Sequence, residues 1–316
     1  MNILSADKLD ALAINGLEAS GFKVVQCKGL AAGNLPPEAA GAEILIVRST
    51  LVPKDILPGM PALRLIIRAG AGTDTIDVKA AEARGIQVSN TPGKNADAVA
   101  EMALGLMLAA DRKIAEGTQA LRQGKWTKGA LGQGMGLKGR TLGLVGFGAV
   151  ARSMARNAKG MDMKVVAWSR SLTPEMAAAA GVGFAADLVA LARVSDAVSI
   201  HVAYTPEARN LIGAAFFAAL KPGALFVNTS RGEVVDRAAL LDAIRSKGLR
   251  AGLDVFAGEP KVSEAPFEDA DLAALCACTP HLGASTDQAA EAVAKEVVRI
   301  AAEYKRTGIA PNSVKI

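Results

Sequence analysis

Histidine and cysteine are scarce: the 316 residues hold two of the first and three of the second. Cys27, Cys276 and Cys278 are too few and too poorly spaced for a disulfide framework or a structural zinc site, so no metal is expected. Cys276 and Cys278 alternate within the apolar run LCACTP and read as one face of a buried strand. Aromatics make up only 4%, while Ala, Gly, Val and Leu abound. That balance disfavours an aromatic-rich sandwich and suits helices lying close on parallel strands, an α/β class. No run of eighteen apolar residues occurs, which excludes a spanning helix, and Asp7, Lys8, Asp10 and Glu18 stand where a signal peptide would be apolar. The chain therefore reads as cytosolic, without membrane contact. Blocks of basic charge are missing too. The net charge of +5 comes from scattered Lys and Arg, an ordinary solvated surface and not a nucleic-acid footprint.

What is present is an alternation of short apolar runs with helical stretches. A chain of this length, 51% hydrophobic, predicts two globular domains. Runs at 2–4, 23–27, 43–47, 63–67 and 86–90 read as the strands of a small parallel sheet. From about Asp97 to Gly124 a single long helix is expected, with Asp97 at its N-cap, bridging two domains and presenting a dimer surface. A second series starts at Arg140, with strands in TLGLVGFG and at 164–169, 197–202, 224–230, 250–255 and 275–279, six in all, forming a doubly wound sheet. An amphipathic helix from about Ser285 to Lys305 follows the completed sheet, and it is expected to cross back onto the N-terminal unit.

Strand TLGLV runs into Gly146-Phe147-Gly148-Ala149-Val150-Ala151 and then a helix, the context that a G-x-G-x-x-G/A dinucleotide fingerprint requires. Gly146 permits the tight turn and Gly148 lets backbone approach a pyrophosphate, while the helix N-terminus offers N–H groups and a favourable dipole. The next strand ends Trp168-Ser169-Arg170-Ser171 with no acid. A carboxylate there would hold the ribose hydroxyls of NAD; hydroxyls and a guanidinium suit a 2′-phosphate, so NADP(H) is favoured and NAD(H) possible.

Proton transfer near neutral pH points to histidine. His201 lies in the apolar stretch AVSIHV and reads as a packed residue; His281, in TPHLGAS, follows a strand at the carboxyl edge of the sheet, where open α/β sheets bind ligands. Arg231 (in NTSRG) and Glu259 (in DVFAGEP) follow two other strands of the series. Arg231 can hold a substrate carboxylate and polarise a carbonyl; Glu259 can orient His281 and favour its protonated form; the hydride belongs to the cofactor.

The runs GLVGFGAVA, HVAYTPEARNLIG, NTSRGEVVDRAALLDAI, AGLDVFAGEP and TPHLGAST resemble the signature blocks of the D-isomer-specific 2-hydroxyacid dehydrogenases over most of the chain. That resemblance implies a Rossmann dinucleotide-binding domain, 97–284, inserted into a flavodoxin-like substrate domain, 1–96 with 285–316, in an enzyme that is usually a homodimer. It implies Arg231, Glu259 and His281 as the catalytic trio, Asp254 near the nicotinamide carboxamide, and Thr229 and Ser230 nearby. Thr205 and Pro206 match a loop over the adenosine, and Gly283 belongs to the His281 loop. Val47-Arg48-Ser49-Thr50, Arg68-Ala69-Gly70 and Asn95 look more like D-3-phosphoglycerate dehydrogenases than glyoxylate reductases. Two guanidiniums after adjacent apolar strands can converge on a phosphate or second carboxylate. The expected substrate is 3-phosphoglycerate or 3-phosphohydroxypyruvate first, hydroxypyruvate or glyoxylate second. Glu259 separates the chain from formate dehydrogenases, which place a glutamine there. A dinucleotide-sensing binding protein of corepressor type is the alternative from another class.

Overall fold

The structure, a computed structural model, describes residues 1–260 and 264–314. The chain forms two compact units, Met1–Asn95 with Ser285–Ile316, and Ala96–Ala284. In the first, β1 (Asn2–Ser5), β2 (Lys23–Gln26), β3 (Ile44–Val47), β4 (Leu65–Arg68) and β5 (Gln87–Asn90) pair in parallel in the order β2-β1-β3-β4-β5. All four residues of β3 are buried, as a parallel strand covered on both faces must be. The pleat sends Leu4, Leu45, Val47 and Ile66 to one core, and Ile3, Ile44, Ile46, Leu65 and Ile67 to the other. The second core is closed by the helix Ala11–Ala19, capped by Asp10, and by the helix Asp287–Thr307, capped by Thr286 and ended at Gly308 with φ 73°. The expected return of the last helix is therefore what the fold contains. Fully burying Val297 and Ile300 of that helix contributes roughly 3–6 kcal/mol, enough to hold it against the sheet.

One charged group is built into this packing. Glu296, 8% exposed at its side chain, accepts from Arg299 Nη2 at 2.7 Å and Asn312 Nδ2 at 2.7 Å, with Lys94 Nζ at 3.4 Å. The Arg299 guanidinium, foremost, holds its carboxyl down to about 2 from the ordinary 4.5. A depressed folded value means stability that is whole above about pH 4.5 and is lost as pH falls toward 2; the shift corresponds to about 3 kcal/mol. Glu296→Gln should therefore unfold more easily in urea at neutral pH by about that amount, and lose less between about pH 5 and 3. A wild-type acid slope no steeper than the variant's would remove Glu296 as the cause.

In the second unit, β6 (Thr141–Val145), β7 (Lys164–Trp168), β8 (Gly183–Phe184), β9 (Ala197–Ile200), β10 (Leu225–Asn228), β11 (Arg250–Leu253) and β12 (Cys276–Cys278) are all parallel, in the order β12-β11-β10-β9-β6-β7-β8. The order reverses between β6 and β9, so this sheet is doubly wound about a crevice at its carboxyl edge.

Four expectations need correction. β8 was not foreseen: two residues are too few to carry a period. The single helix from Asp97 to Gly124 is two helices, Ala96–Arg112 and Ile114–Arg122, broken where Lys113 takes φ 50°. Asp97 is not its N-cap but lies in the first turn, where the Ser153 hydroxyl at 2.5 Å and the Arg156 guanidinium at 2.7 Å hold its carboxyl below the usual range. Cys276 and Cys278 do share a strand, yet only Cys276 is buried, because β12 is the sheet edge. Burial pushes the Cys276 thiol up to about 12, so it is chemically inert. Among the described residues no helix is long and apolar enough to cross a membrane, and no cluster of His, Cys, Asp or Glu is arranged to hold a metal ion.

Candidate active site

The glycine turn stands at the reversal of strand order. Gly146 takes φ 91°, and a Cβ there would stand 2.5 Å from the carbonyl oxygen of His201, at the end of β9. Only glycine fits. At Gly148 a Cβ would meet nothing within 4 Å, and no side chain caps the helix Ala149–Gly160 that begins there. No capping side chain takes the N–H groups of its first turn, the arrangement that receives a pyrophosphate. Phe147 is buried and supports the Arg152 guanidinium 4.6 Å above its ring. After β7, a turn closed by Leu172 N–H to Ser169 C=O (3.2 Å) leaves Ser169 half-buried and Arg170 exposed. Thr205 and Pro206 begin the short turn after β9, while Thr229 Oγ1, after β10, is buried with no hydrogen-bond partner in the protein. A buried hydroxyl in that state suits a ligand that completes it. The residues present fit a dinucleotide.

His201 can be set aside as a proton donor. Its Nε2 is shut from solvent with no partner, and burial pushes the imidazole down to about 3. It is neutral at any pH near 7.

The other residues emerge where β10, β11 and β12 end side by side, with Asn228 in register with Leu253 and Leu253 with Cys278. Asn228 staples the first loop: Oδ1 accepts from Ser230 N (3.0 Å) and Ser230 Oγ (2.8 Å), and Nδ2 donates to Arg231 C=O (2.9 Å). Arg231, half-buried, donates through Nη1 to the Ser230 carbonyl at 2.7 Å. At Gly232 a Cβ would stand 2.0 Å from the Phe256 carbonyl carbon and 2.1 Å from Ala257 N. The Arg231 loop therefore lies backbone to backbone against the loop that carries Glu259.

The third loop is organised by Asp254, which is 1% exposed. Its Oδ1 accepts from Thr279 Oγ1 (2.6 Å) and Leu282 N (2.7 Å), its Oδ2 from Gly283 N (2.8 Å), and its carbonyl from His281 N (2.8 Å). These bonds hold His281 at φ 54°, a left-handed conformation that costs an ordinary residue roughly 1–2 kcal/mol. In that position His281 Nδ1 meets Glu259 Oε1 at 2.5 Å, while the imidazole stays 45% exposed. With Glu259 on Nδ1, Nε2 is the ring nitrogen left to exchange a proton. The carboxylate expected at a nicotinamide carboxamide is thus also the group that sets the His281 loop. Asn228, Gly232 and Thr279 had no positioning role from sequence alone. Their signal was weak: polar or small residues at the ends of apolar strands.

In the first unit, Arg48 and Ser49 follow β3 and are exposed. The backbone N–H groups of Arg48, Ser49 and Thr50 all donate to Asp7 Oδ2, at 2.6, 3.0 and 3.1 Å. Arg68, opposite Val47 at the neighbouring strand end, behaves differently: half-buried, it donates through Nη1 to Ala69 C=O at 3.1 Å and lies over Gly70. It braces its own loop, and Asn95 is half-buried at the end of the segment.

A doubly wound sheet whose glycine turn receives a pyrophosphate and whose edge carries a carboxylate–imidazole pair defines a nicotinamide-dependent dehydrogenase. Residues 104–283 match the family described as D-isomer specific 2-hydroxyacid dehydrogenase, NAD binding domain. The chain belongs to that family, whose reaction is oxidation of the CH–OH group of 2-hydroxy acids with NAD(P). It is 43% identical over 258 residues to a hydroxypyruvate reductase of Thermotoga maritima, covering 81% of this chain and 82% of that one. It is 36% identical over 318 residues to a D-3-phosphoglycerate dehydrogenase of Methanocaldococcus jannaschii, covering all of this chain but 60% of that longer protein. Among solved structures, an NADPH-dependent glyoxylate/hydroxypyruvate reductase of Sinorhizobium meliloti, crystallised with NADP and malonate, superimposes with a TM-score of 0.84 at 27% identity, covering 99% of this chain and 96% of that one.

Proposed function

We propose that this dehydrogenase reduces a small 2-keto acid carrying a second anionic group, 3-phosphohydroxypyruvate in the first instance, and runs in reverse on 3-phosphoglycerate, with NADP(H) preferred over NAD(H). The observation that carries the substrate reading is the exposed Arg48 at the β1/β3 reversal of the first sheet, where ligands of such sheets bind. Ser49, Arg68, Ala69, Gly70 and Asn95 are the other first-unit residues assigned to the substrate. Hydroxypyruvate or glyoxylate is the second reading. It is favoured by Arg68 folding onto its own loop and by the 43% identity over 258 residues to a hydroxypyruvate reductase.

In the reaction, His281 Nε2 gives a proton to the oxygen of the keto group, or takes it back in oxidation. Glu259 holds Nδ1 and offsets the positive charge of the imidazolium. Arg231 binds the carboxylate beside the reacting carbon and polarises the carbonyl. When bound, the nicotinamide supplies or accepts the hydride. Gly146, Phe147, Gly148, Ala149 and Val150 form the pyrophosphate turn, Thr205, Pro206, Thr229, Ser230, Asp254 and Gly283 complete the cofactor contacts, and Ser169 and Arg170 read the 2′-phosphate. We assign the exposed Ile114, Leu121 and Trp126, the last 81% exposed, to a homodimer surface; a chain that elutes as a monomer would lose that assignment.

A panel of 3-phosphohydroxypyruvate, hydroxypyruvate and glyoxylate, run with NADPH and NADH and followed at the nicotinamide absorbance, tests the reading. The phosphorylated acid should show the highest kcat/KM. Arg170→Ala should weaken NADPH about tenfold or more and NADH little, since only NADPH offers the charge-assisted bond. Equal losses would dismiss the NADP(H) assignment.

A further inference from the structure

We propose that Asp7 is a positioning residue for substrate recognition: its carboxylate fixes the Arg48–Thr50 loop so that the side chains of Arg48 and Ser49, and not the loop's own amides, meet the anionic end of the substrate. This rests on the reading of Arg48 and Ser49 as substrate contacts.

The first sheet reverses its strand order between β1 and β3, and open α/β sheets bind ligands outside the carboxyl ends at that point. Asp7 lies in the turn after β1, and Arg48 to Thr50 in the turn after β3. Three successive N–H groups converging on one oxygen make a nest, a backbone concavity that accepts anions. Here the protein's own carboxylate fills it, with bonds of 2.6, 3.0 and 3.1 Å. An anion from solution is therefore denied these amides.

The turn is tied down further by Thr50 Oγ1 donating to Ala6 C=O at 3.2 Å and Ser5 Oγ donating to Asp7 C=O at 2.7 Å. An ionised carboxylate is an acceptor only, and its charge-assisted bonds are roughly twice as strong as neutral ones. Asparagine would keep an acceptor in place without the charge; alanine would leave three amides converging on nothing and the nest open. Asp7 thus works in two ways. It sets the loop from which the exposed Arg48 and Ser49 project, and it blocks the nest against competing anions.

Kinetics of the full chain with NADPH test this, using Asp7→Ala, Asp7→Asn and Arg48→Gln on 3-phosphohydroxypyruvate and glyoxylate, with inorganic phosphate as a probe inhibitor. Asp7→Ala should raise KM for the phosphorylated acid about tenfold while kcat stays within about twofold, a split that marks lost ground-state binding. Asp7→Asn should fall between wild type and alanine, and inorganic phosphate should inhibit Asp7→Ala more strongly than wild type, because the nest is open to it. Thermal midpoints of all variants separate this from a loss of folded protein, which would lower the apparent kcat on both substrates alike and would overturn the proposal. If Arg48→Gln raises KM and Asp7→Ala does not, Asp7 has no positioning role, although the loop still binds substrate. If Arg48→Gln changes nothing, the loop reading falls and this inference with it.

Discussion

Replacing His281 by alanine is expected to lower kcat for reduction of a 2-keto acid by about 10²- to 10⁴-fold, the usual contribution of a positioned general acid. That is about 3–5 kcal/mol of transition-state stabilisation. No other imidazole can take over. His201 is the only other histidine, and burial keeps it neutral, down to about 3. Affinity for the reduced dinucleotide should survive, because the glycine turn at Gly146–Gly148 belongs to β6 and its helix, whereas His281 belongs to the loop after β12. The Asp254 bonds to Thr279, Leu282 and Gly283 do not involve the imidazole, so the loop should keep its shape. Alanine at φ 54° bears the strain that histidine already bears. Stopped-flow and steady-state rates, with NADPH binding followed by its fluorescence, check both halves of the expectation. A variant that turns over at near wild-type rate would remove His281 from the proton transfer, and one that no longer binds NADPH would show that the loop is part of the cofactor site's framework.

Gly232→Ala should be the most damaging single methyl group in the second unit. The added Cβ would stand 2.0 Å from the Phe256 carbonyl carbon and 2.1 Å from Ala257 N, both backbone atoms that cannot rotate away. Overpacking where side chains can adjust costs roughly 1–3 kcal/mol; here the loops after β10 and β11 must separate, so the loss should lie at or above about 3 kcal/mol. Those loops carry Arg231 and Glu259. A misplacement of about 1 Å in a catalytic group can cost on the order of 10²-fold in rate, so kcat/KM should fall by at least that factor even in the fraction that folds. Urea unfolding and kinetics on the same preparation distinguish the two effects. Wild-type stability together with wild-type activity would mean that the backbone contact yields easily and does not hold the loops of Arg231 and Glu259.

Much of this was legible in the chain. Short apolar runs alternating with helical stretches place the strands of both sheets except β8, because buried parallel strands are nearly pure runs of branched aliphatics such as ILIV at 44–47. The glycine fingerprint was readable because its chemistry is local: one turn, two glycines and one helix start. His281 and Glu259 stood out through their places after strands, and the structure brings them to 2.5 Å. What failed to read was of two kinds. The break at Lys113 was hidden because the apolar pattern runs on through Ile114 and Leu121, yet both are exposed, at 52% and 59%. The burial of Cys276 and exposure of Cys278 follow from β12 being an edge, which depends on the order of strands and not on their sequence. The pairing of Arg48 with Arg68 is the instructive case. Both follow apolar strands and look equivalent, but one is exposed while the other folds onto Ala69 and Gly70.

Residue chemistry and local spacing by themselves determined the α/β class, the dinucleotide turn and the identity of the groups able to move a proton, because each depends on a few neighbouring residues. Tertiary structure alone decided how those groups are held: Asp254 shaping the His281 loop, Gly232 letting two loops touch, and Asp7 gathering the amides of Arg48 to Thr50. Those contacts join residues 29, 24 and 41 positions apart. Hydrogen bonding and steric exclusion act over a few ångströms of space, and only the pairing of strands brings such distant residues within that range.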